Sequence, residues 1–432
     1  MTTFTCKPAR ELHGTIRVPG DKSISHRSIM LSSIADGISE ISGFLEGEDS
    51  LHTLQAFQAM GVDIQRDGDR IIVHGAGLHG LTKPEGDLYM GNSGTAMRLL
   101  TGLLSGQKFE SRLTGDESLS GRPMRRVTDP VALMGGAIDT AEGGTAPLEI
   151  HGGCRLQGIH YDLPVASAQI KSCVLLAGLY ADGITEVVEP APTRDHTERM
   201  LRGFGCTVET LGNRIRLQGG QSLSACNIEV PADISSAAFF MVAASIMPGS
   251  ELTLTHVGIN PTRTGIIDIL KLMGADISLT NERVVGGEPV ADIVVRSAPL
   301  KGIRIPENLV PLAIDEFPVI FIAAAVAEGE TVLTGAEELR VKESDRIQVM
   351  ADGLIALGVD ARATDDGIVI QGGTIGSGRV DSHGDHRIAM AFAVASLSGE
   401  GSITITDCDN VNTSFPGFAE LANQTGFSIE VA

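Results

Sequence analysis

One pattern, written six times over, decides most of what this chain can fold into. In each copy a polar entry leads into a small-residue apolar helix, then a glycine, a short strand, a polar loop and a second helix. That second helix usually runs through glycine into another strand. The copies span Asp21–Ile64, Gly91–Ile138, Ser167–Val208, Ala232–Ile277, Ile314–Ala361 and Gly384–Ile429. Their spacing, roughly 65–80 residues, is too long and too irregular for a solenoid and suits a compact module used repeatedly.

The first helix of each copy reads as apolar nearly all round, as in VIFIAAAVA (Val319–Ala327) and AMAFAVASL (Ala389–Leu397). Such helices are buried on every side. The intervening strands alternate, as in ELTLTHV (Glu251–Val257) and SITITD (Ser402–Asp407), which predicts sheets with one wet face. The expectation is an α/β architecture with helices inside, sheets outside and three copies per domain. A chain of 432 residues exceeds one ordinary core, so two domains are expected. The division falls near VPADISS: a first domain over 15–230, and a second made of 1–14 and 231–432. Two short crossings would form a hinge on which the domains close.

With no Trp and 4% aromatics, the cores must be packed by aliphatic residues and Ala. The formal net charge of -21 argues against a nucleic-acid or anionic-membrane surface, so no nucleic-acid or membrane partner is expected. Any anionic ligand must then be held by a local basic cluster. The six cysteines show neither C-x-x-C nor zinc-type His spacing, which predicts reduced structural thiols and no metal. No signal-peptide core is visible, and no apolar run reaches the ~18 residues of a membrane span. A cytoplasmic protein is expected.

Polar residues collect where each apolar helix begins. VPGDKSISHRS (Val18–Ser28) predicts a strand over Gly14–Val18, a tight turn, and a helix capped by Ser23 or Ser25 with Lys22 and Arg27 beside its start. Unpaired N–H groups and fixed cations at a helix start suit a phosphate or carboxylate. Asn92, Gly94 and Thr95 open the second copy, Ser167 and Gln169 the third, Asp315 and Glu316 the fifth, and Asp385, His386 and Arg387 the sixth. The middle loops add Arg122, Arg194, Lys342, Glu343 and Arg346. The fourth copy, ADISSAAFF, offers no basic residue and is expected to serve the hinge.

Each piece has a plain alternative. GNSGTAMRLL could be only a turn before a helix. Lys342 and Arg346, four apart, could pair with acidic neighbours on one helical face. His386, His196 and Glu198 could be structural, and Asp315 and Glu316 could cap the helix that follows. Recurrence at equivalent places lifts the set above its parts. It predicts helix starts converging on one positive cleft between the domains.

PGDKSISHR, GNSGTAMR, SGRPM, SAQIKS, TRDHTE, IDEFP, RVKESDR and DHRIAM occur in that order along nearly the whole chain. Together they resemble the EPSP synthase family of enolpyruvyl transferases. The resemblance implies two domains of three βαβαββ units each. It implies transfer of the enolpyruvyl group of phosphoenolpyruvate to the 5-hydroxyl of shikimate 3-phosphate, without cofactor or metal, by an enzyme expected to be a monomer. It places shikimate 3-phosphate on Lys22, Ser23, Arg27, Ser167, Ala168, Gln169, Arg194 and Lys342, and phosphoenolpyruvate on Lys22, the Gly94 backbone, Arg122, Arg346 and Arg387. Asn92, Thr95 and His386 belong to the same substrate-binding set. It further implies Asp315 as base at the hydroxyl and Glu343, with Lys22, as the group handling the carbon proton.

Three departures from the commonest family pattern stand out: Ala168 in place of a second serine, Glu338 in place of Asn, and Thr413 in place of a late Lys. They resemble a subgroup that includes glyphosate-tolerant members, yet Gly94 keeps the small residue that leaves room for that inhibitor. The rival reading is the sister enzyme acting on UDP-N-acetylglucosamine, expected to carry a reactive cysteine near Arg122. TGDESLSGRPM (Thr114–Met124) has none. A non-catalytic anion-binding module on the same scaffold is the other alternative.

Overall fold

The computed structural model describes residues 2–68 and 70–432. Contacts divide the chain into two compact units, each with its own hydrophobic core. One unit runs from Gly20 to Val230 and takes in Val285–Gly287; the other comprises the chain up to Pro19, Pro231–Val284 and Glu288–Ala432.

In the Gly20–Val230 unit the buried helices are Lys22–Ser33, Gly94–Ser105 and Ala168–Gly178. Each is followed by a strand that pairs in parallel with a short edge strand and antiparallel with the second arm of a hairpin. The three sheets read Ile228–Glu229, Asp36–Ser42, Arg70–Ala76, Asp63–Asp67; then Leu88–Tyr89, Ser111–Thr114, Thr145–His151, Ala137–Ala141; then His160–Asp162, Ile184–Val188, Arg214–Gln218, Val208–Leu211. The last segment of the unit thus returns to the first sheet, pairing Ile228 with Ile41.

In the other unit the buried helices are Ile234–Ile246, Phe317–Val326 and His386–Ala395. The same order recurs as His13–Ile16, Glu251–Gly258, Glu288–Arg296, Asp276–Val285 in one sheet. A second sheet holds Glu330–Leu333, Gly367–Gln371 and Asp360–Thr364, with isolated parallel bridges from Lys301 to Glu328 and from Arg304 to Val332 in the edge place. In the third, Gly378–Asp381, Ile403–Thr406, Phe4–Lys7 and Ser428–Val431, the strand Phe4–Lys7 takes the place of the second hairpin arm. Repetition of one small sheet around buried helices is the predicted α/β architecture.

Two local expectations are corrected. The strand near residue 14 is His13–Ile16, and it lies in register with Glu251–Leu254. Backbone pairing therefore draws 15–19 into the unit built on 231–432, not into 15–230. The Lys22 helix is buried but not apolar: Ser25, His26, Arg27, Ser28, Ser32 and Ser33 all lie inside. Bonds within the copy satisfy some of these groups: Ser28 Oγ donates to Ser25 O at 2.8 Å, and Ser25 Oγ accepts from Leu45 N at 3.0 Å.

Candidate active site

Asp21, not Ser23 or Ser25, caps the Lys22 helix, its Oδ1 accepting from Ile24 N at 2.8 Å. Ser93 and Ser167 cap the Gly94 and Ala168 helices in the same way, accepting from Ala96 N and Ile170 N. A side-chain cap on each helix fixes where its remaining N–H groups and positive end are presented.

Side chains join the three starts pairwise. His26 contacts Ser93 Oγ through Nε2 at 3.3 Å, linking the first copy to the second. Gln169 donates to Thr95 Oγ1 at 3.0 Å and accepts from Arg98 Nη1 at 2.5 Å, linking second and third. Arg27 donates to Thr197 Oγ1 at 2.7 Å and Ser172 Oγ at 2.9 Å, linking third and first. This ring of bonds gathers Lys22, Arg27, Gly94, Thr95, Ser167, Ala168 and Gln169 into one cluster of the Gly20–Val230 unit.

Arg122 joins it through Asn92, whose Oδ1 and carbonyl accept from the guanidinium at 2.6 and 3.1 Å. Asn92 is held in turn by donating to Asp116 Oδ2 at 2.7 Å. A Cβ built on Gly94 would lie 3.2 Å from Arg98 Nη1 and 3.3 Å from Arg122 Nη1, so the glycine is hemmed by two guanidinium groups. Lys22 is paired with the buried Asp49. Ser23 opens the Lys22 helix, its carbonyl accepting from Arg27 Nη1 at 2.9 Å. Arg194 is half-buried in the loop before the helix His196–Gly203.

In the other unit Arg346 is the hub. It is 1% exposed; its Nε donates to Asp385 Oδ2 at 2.8 Å, its Nη2 to Glu343 Oε2 at 2.6 Å, and its Nη1 to Asp315 Oδ1 at 3.4 Å. Lys342 Nζ lies 3.5 Å from Asp315 Oδ1, and Arg387 Nη1 donates to the Asp315 carbonyl at 3.0 Å. Asp385 caps the His386 helix, accepting from Arg387 N at 2.9 Å, and leaves His386 as its buried first residue. Burial pushes the Asp385 carboxyl up most strongly, but the charge and hydrogen bond of Arg346, helped by His386, together hold the group below the ordinary carboxylate range. Burial likewise opposes the charge on Arg346, and the carboxylates of Asp385, Glu343 and Asp315 more than offset that.

Two readings change here. Lys342 and Arg346 do not share a helical face, because the helix begins at Arg346 with Asp345 as its cap; they meet at Asp315 instead. Glu316 makes no cap bond and accepts from Ser235 Oγ. The start of the fourth copy does meet a cation: Arg263 Nη2 donates to Asp233 Oδ1 at 2.9 Å and Ser235 Oγ at 2.8 Å.

Arg98, Asp49, Asp116 and Arg263 were not singled out in the sequence. Arg98 sits four residues past Gly94, on the same helical face, and that spacing was the signal for it. At Thr413, where the late Lys would stand, the hydroxyl donates to Asn410 O at 2.7 Å and brings no charge. Among the described residues no group of three or more His, Cys, Asp or Glu is placed to hold a metal ion, and no helix is long and apolar enough to cross a membrane.

The family model described as EPSP synthase (3-phosphoshikimate 1-carboxyvinyltransferase) matches residues 6–421. The chain is 65% identical over 430 residues to the 3-phosphoshikimate 1-carboxyvinyltransferase of Methylococcus capsulatus, covering 99% of this chain and 98% of that one. It is similar to the solved EPSP synthase of Acinetobacter baumannii, with a TM-score of 0.90 and 58% identity over the whole of both chains. The enolpyruvyl transferase NikO of Streptomyces tendae shares the fold at a TM-score of 0.80 and 17% identity, over 100% of this chain and 99% of that one.

Proposed function

The chain belongs to the EPSP synthase family, and from that premise we propose how its two polar clusters divide the work of the reaction. The enzyme transfers the enolpyruvyl group of phosphoenolpyruvate to the 5-hydroxyl of shikimate 3-phosphate and releases phosphate, a step of the shikimate pathway to the aromatic amino acids. Both substrates carry phosphate and carboxylate, so each needs several cations.

In this reading the Gly20–Val230 unit receives the anionic groups. Lys22, Ser23, Arg27, Ser167, Ala168, Gln169 and Arg194 hold shikimate 3-phosphate; the Gly94 N–H and Arg122 hold phosphoenolpyruvate. The planar guanidinium fork matches both carboxylate and phosphate, which is why arginines dominate the set. The pairwise bonds among the three helix starts support this, because they fix donors before a ligand arrives.

The other unit supplies acid–base chemistry and more positive charge. Asp315 takes the proton of the 5-hydroxyl as its oxygen bonds to the substituted carbon of phosphoenolpyruvate. Glu343 delivers a proton to the methylene carbon, giving a tetrahedral intermediate. The bond to phosphate then breaks, a methyl proton returns to the protein, and the double bond reforms. Arg346 and Arg387 neutralise the departing phosphate, and Lys342 serves the acceptor. One observation carries the reading: the Asp315 carboxylate meets Lys342 and Arg346 while its own carbonyl holds Arg387. A carboxylate set among three cations supports the reading, because such a cluster attracts acidic substrates to the group that would act as base. A cytoplasmic location and a monomeric state form part of the reading, and light scattering on the purified enzyme tests the latter.

Phosphate release, measured with each substrate alone, with both, and with UDP-N-acetylglucosamine as acceptor, tests the whole. Release should require phosphoenolpyruvate and shikimate 3-phosphate together. Asp315→Ala should lower kcat about 10²–10⁴-fold, and Lys342→Ala should raise the KM for shikimate 3-phosphate. Full activity in Asp315→Ala would reject the assigned base.

A further inference from the structure

Lys171 lies on the Ala168–Gly178 helix, two residues past Gln169, and its side chain is 0% exposed. Its Nζ is 2.9 Å from Glu189 Oε1 and 2.7 Å from Glu198 Oε1, both themselves buried. Glu189 directly follows the strand Ile184–Val188, and Glu198 lies in the first turn of the helix His196–Gly203. The two carboxylates therefore bracket the segment EPAPTRDHTE, in which Arg194 sits. Within it the Thr193 hydroxyl donates to Glu189, and the Glu189 backbone is pinned on both sides by Asn213. One buried ammonium thus fastens both ends of the loop to a single helix.

A buried ion cluster is a poor way to add stability, because desolvating three charges offsets most of their attraction. It does fix geometry, since a lone partner left behind is costly. The residues next to the cluster show what is being fixed. Thr197, beside Glu198, donates to Ser172, beside Lys171, at 2.8 Å, and both hydroxyls accept from Arg27. The seating of one helix on the other, which Lys171 sets, therefore also sets the Arg27 guanidinium.

We propose that Lys171, with Glu189 and Glu198, is the positioning residue of the acceptor half-site: without touching substrate, it holds the Arg194 loop and Arg27 in register with Ser167 and Gln169. This rests on the assignment of Arg194 and Arg27 to shikimate 3-phosphate. Loss of the register weakens binding of that substrate in ground and transition states alike, so it raises one KM and spares kcat.

The experiment measures kcat and both KM values for the parent, Arg194→Ala, Lys171→Met, Lys171→Arg and Glu198→Gln, with unfolding midpoints alongside. Lys171→Met should raise the KM for shikimate 3-phosphate about tenfold or more, as expected when binding groups shift by a fraction of an ångström. The KM for phosphoenolpyruvate should stay within about twofold, and Lys171→Arg should recover most of the loss. Should Lys171→Met fail to fold, Glu198→Gln, which keeps Lys171 paired with Glu189, should still raise the same KM several-fold. An unchanged KM for shikimate 3-phosphate in these variants, or a fall in kcat and both KM effects that merely tracks lost stability, overturns the proposal. If Arg194→Ala raises that KM and the Lys171 and Glu198 variants do not, only this inference falls; if Arg194→Ala changes nothing, the site assignment falls and takes the inference with it.

Discussion

Arg346 and Asp385 form a salt bridge, Nε to Oδ2 at 2.8 Å, from which water is shut out: their side chains are 1% and 0% exposed. Asp385 also caps the next helix and accepts from Ser344 Oγ, so one carboxylate holds an arginine, a loop and a helix start. Asp385→Ala should destabilise the protein by about 3–5 kcal/mol, the range for a buried charge stripped of its partner. Urea unfolding of parent and variant checks this; a loss below 1 kcal/mol would mean Glu343 and Asp315 suffice to hold Arg346.

Glu343→Gln should behave differently. Its bond to Arg346 is one of several on that guanidinium, and the Asp385 pair remains, so stability should change little. Under the proposed assignment the proton on the methylene carbon loses its handler, so kcat should fall about 10²-fold or more. Turnover in heavy water reads this directly: incorporation of deuterium at that carbon should slow in proportion to kcat. A variant that incorporates deuterium at the parent's rate would move the role elsewhere.

Gly94→Ala tests the two guanidinium groups that crowd this position. The added methyl would press Arg98 and Arg122 at 3.2 and 3.3 Å, and each must give by a few tenths of an ångström. Glyphosate should compete with phosphoenolpyruvate in the parent. In the variant its inhibition constant should rise about tenfold or more, with a smaller rise in the KM for phosphoenolpyruvate, because the substrate is one backbone atom shorter and tolerates a narrowed slot better. Equal inhibition of parent and variant would mean the inhibitor does not approach Gly94.

Much of this was legible in the chain because the repeat is local. Glycines, alternating strands and apolar helices are set within a few residues of each other, and the polar starts follow from them. What escaped was long-range pairing. Phe4–Lys7 gives no hint that it completes a sheet with Ile403–Thr406 and Ser428–Val431. Lys171 and Arg263 read as ordinary helix and loop charges, since the carboxylates that justify burying them lie 18 or more residues away. The Lys22 helix defied its pattern in part for the same reason: Arg27 is satisfied by Ser172 and Thr197 of the third copy, and His26 reaches Ser93 of the second. A periodicity argument sees one copy at a time and misses what copies exchange.

That exchange has a consequence for pH. His26 is fully buried, with Nδ1 2.7 Å from Thr53 Oγ1 and Nε2 3.3 Å from Ser93 Oγ. Burial first, then the charges of Lys22 and Arg27, push its pKa well below the ordinary 6.5, with Asp21 opposing. The folded protein therefore keeps His26 neutral while the unfolded chain protonates it below about pH 6.5. The stability this histidine contributes is present above that value and is lost as pH falls, by about 1.4 kcal/mol per unit until the folded pKa is reached. His26→Gln keeps a neutral donor and acceptor at the site and removes the titration. Between pH 7 and 5.5 the parent should lose about 1 kcal/mol more than the variant in urea-derived stability. Groups that titrate in both proteins cancel in the difference, so parallel curves would show that His26 is as readily protonated folded as unfolded, and that the contact between the first two copies is made by an imidazolium.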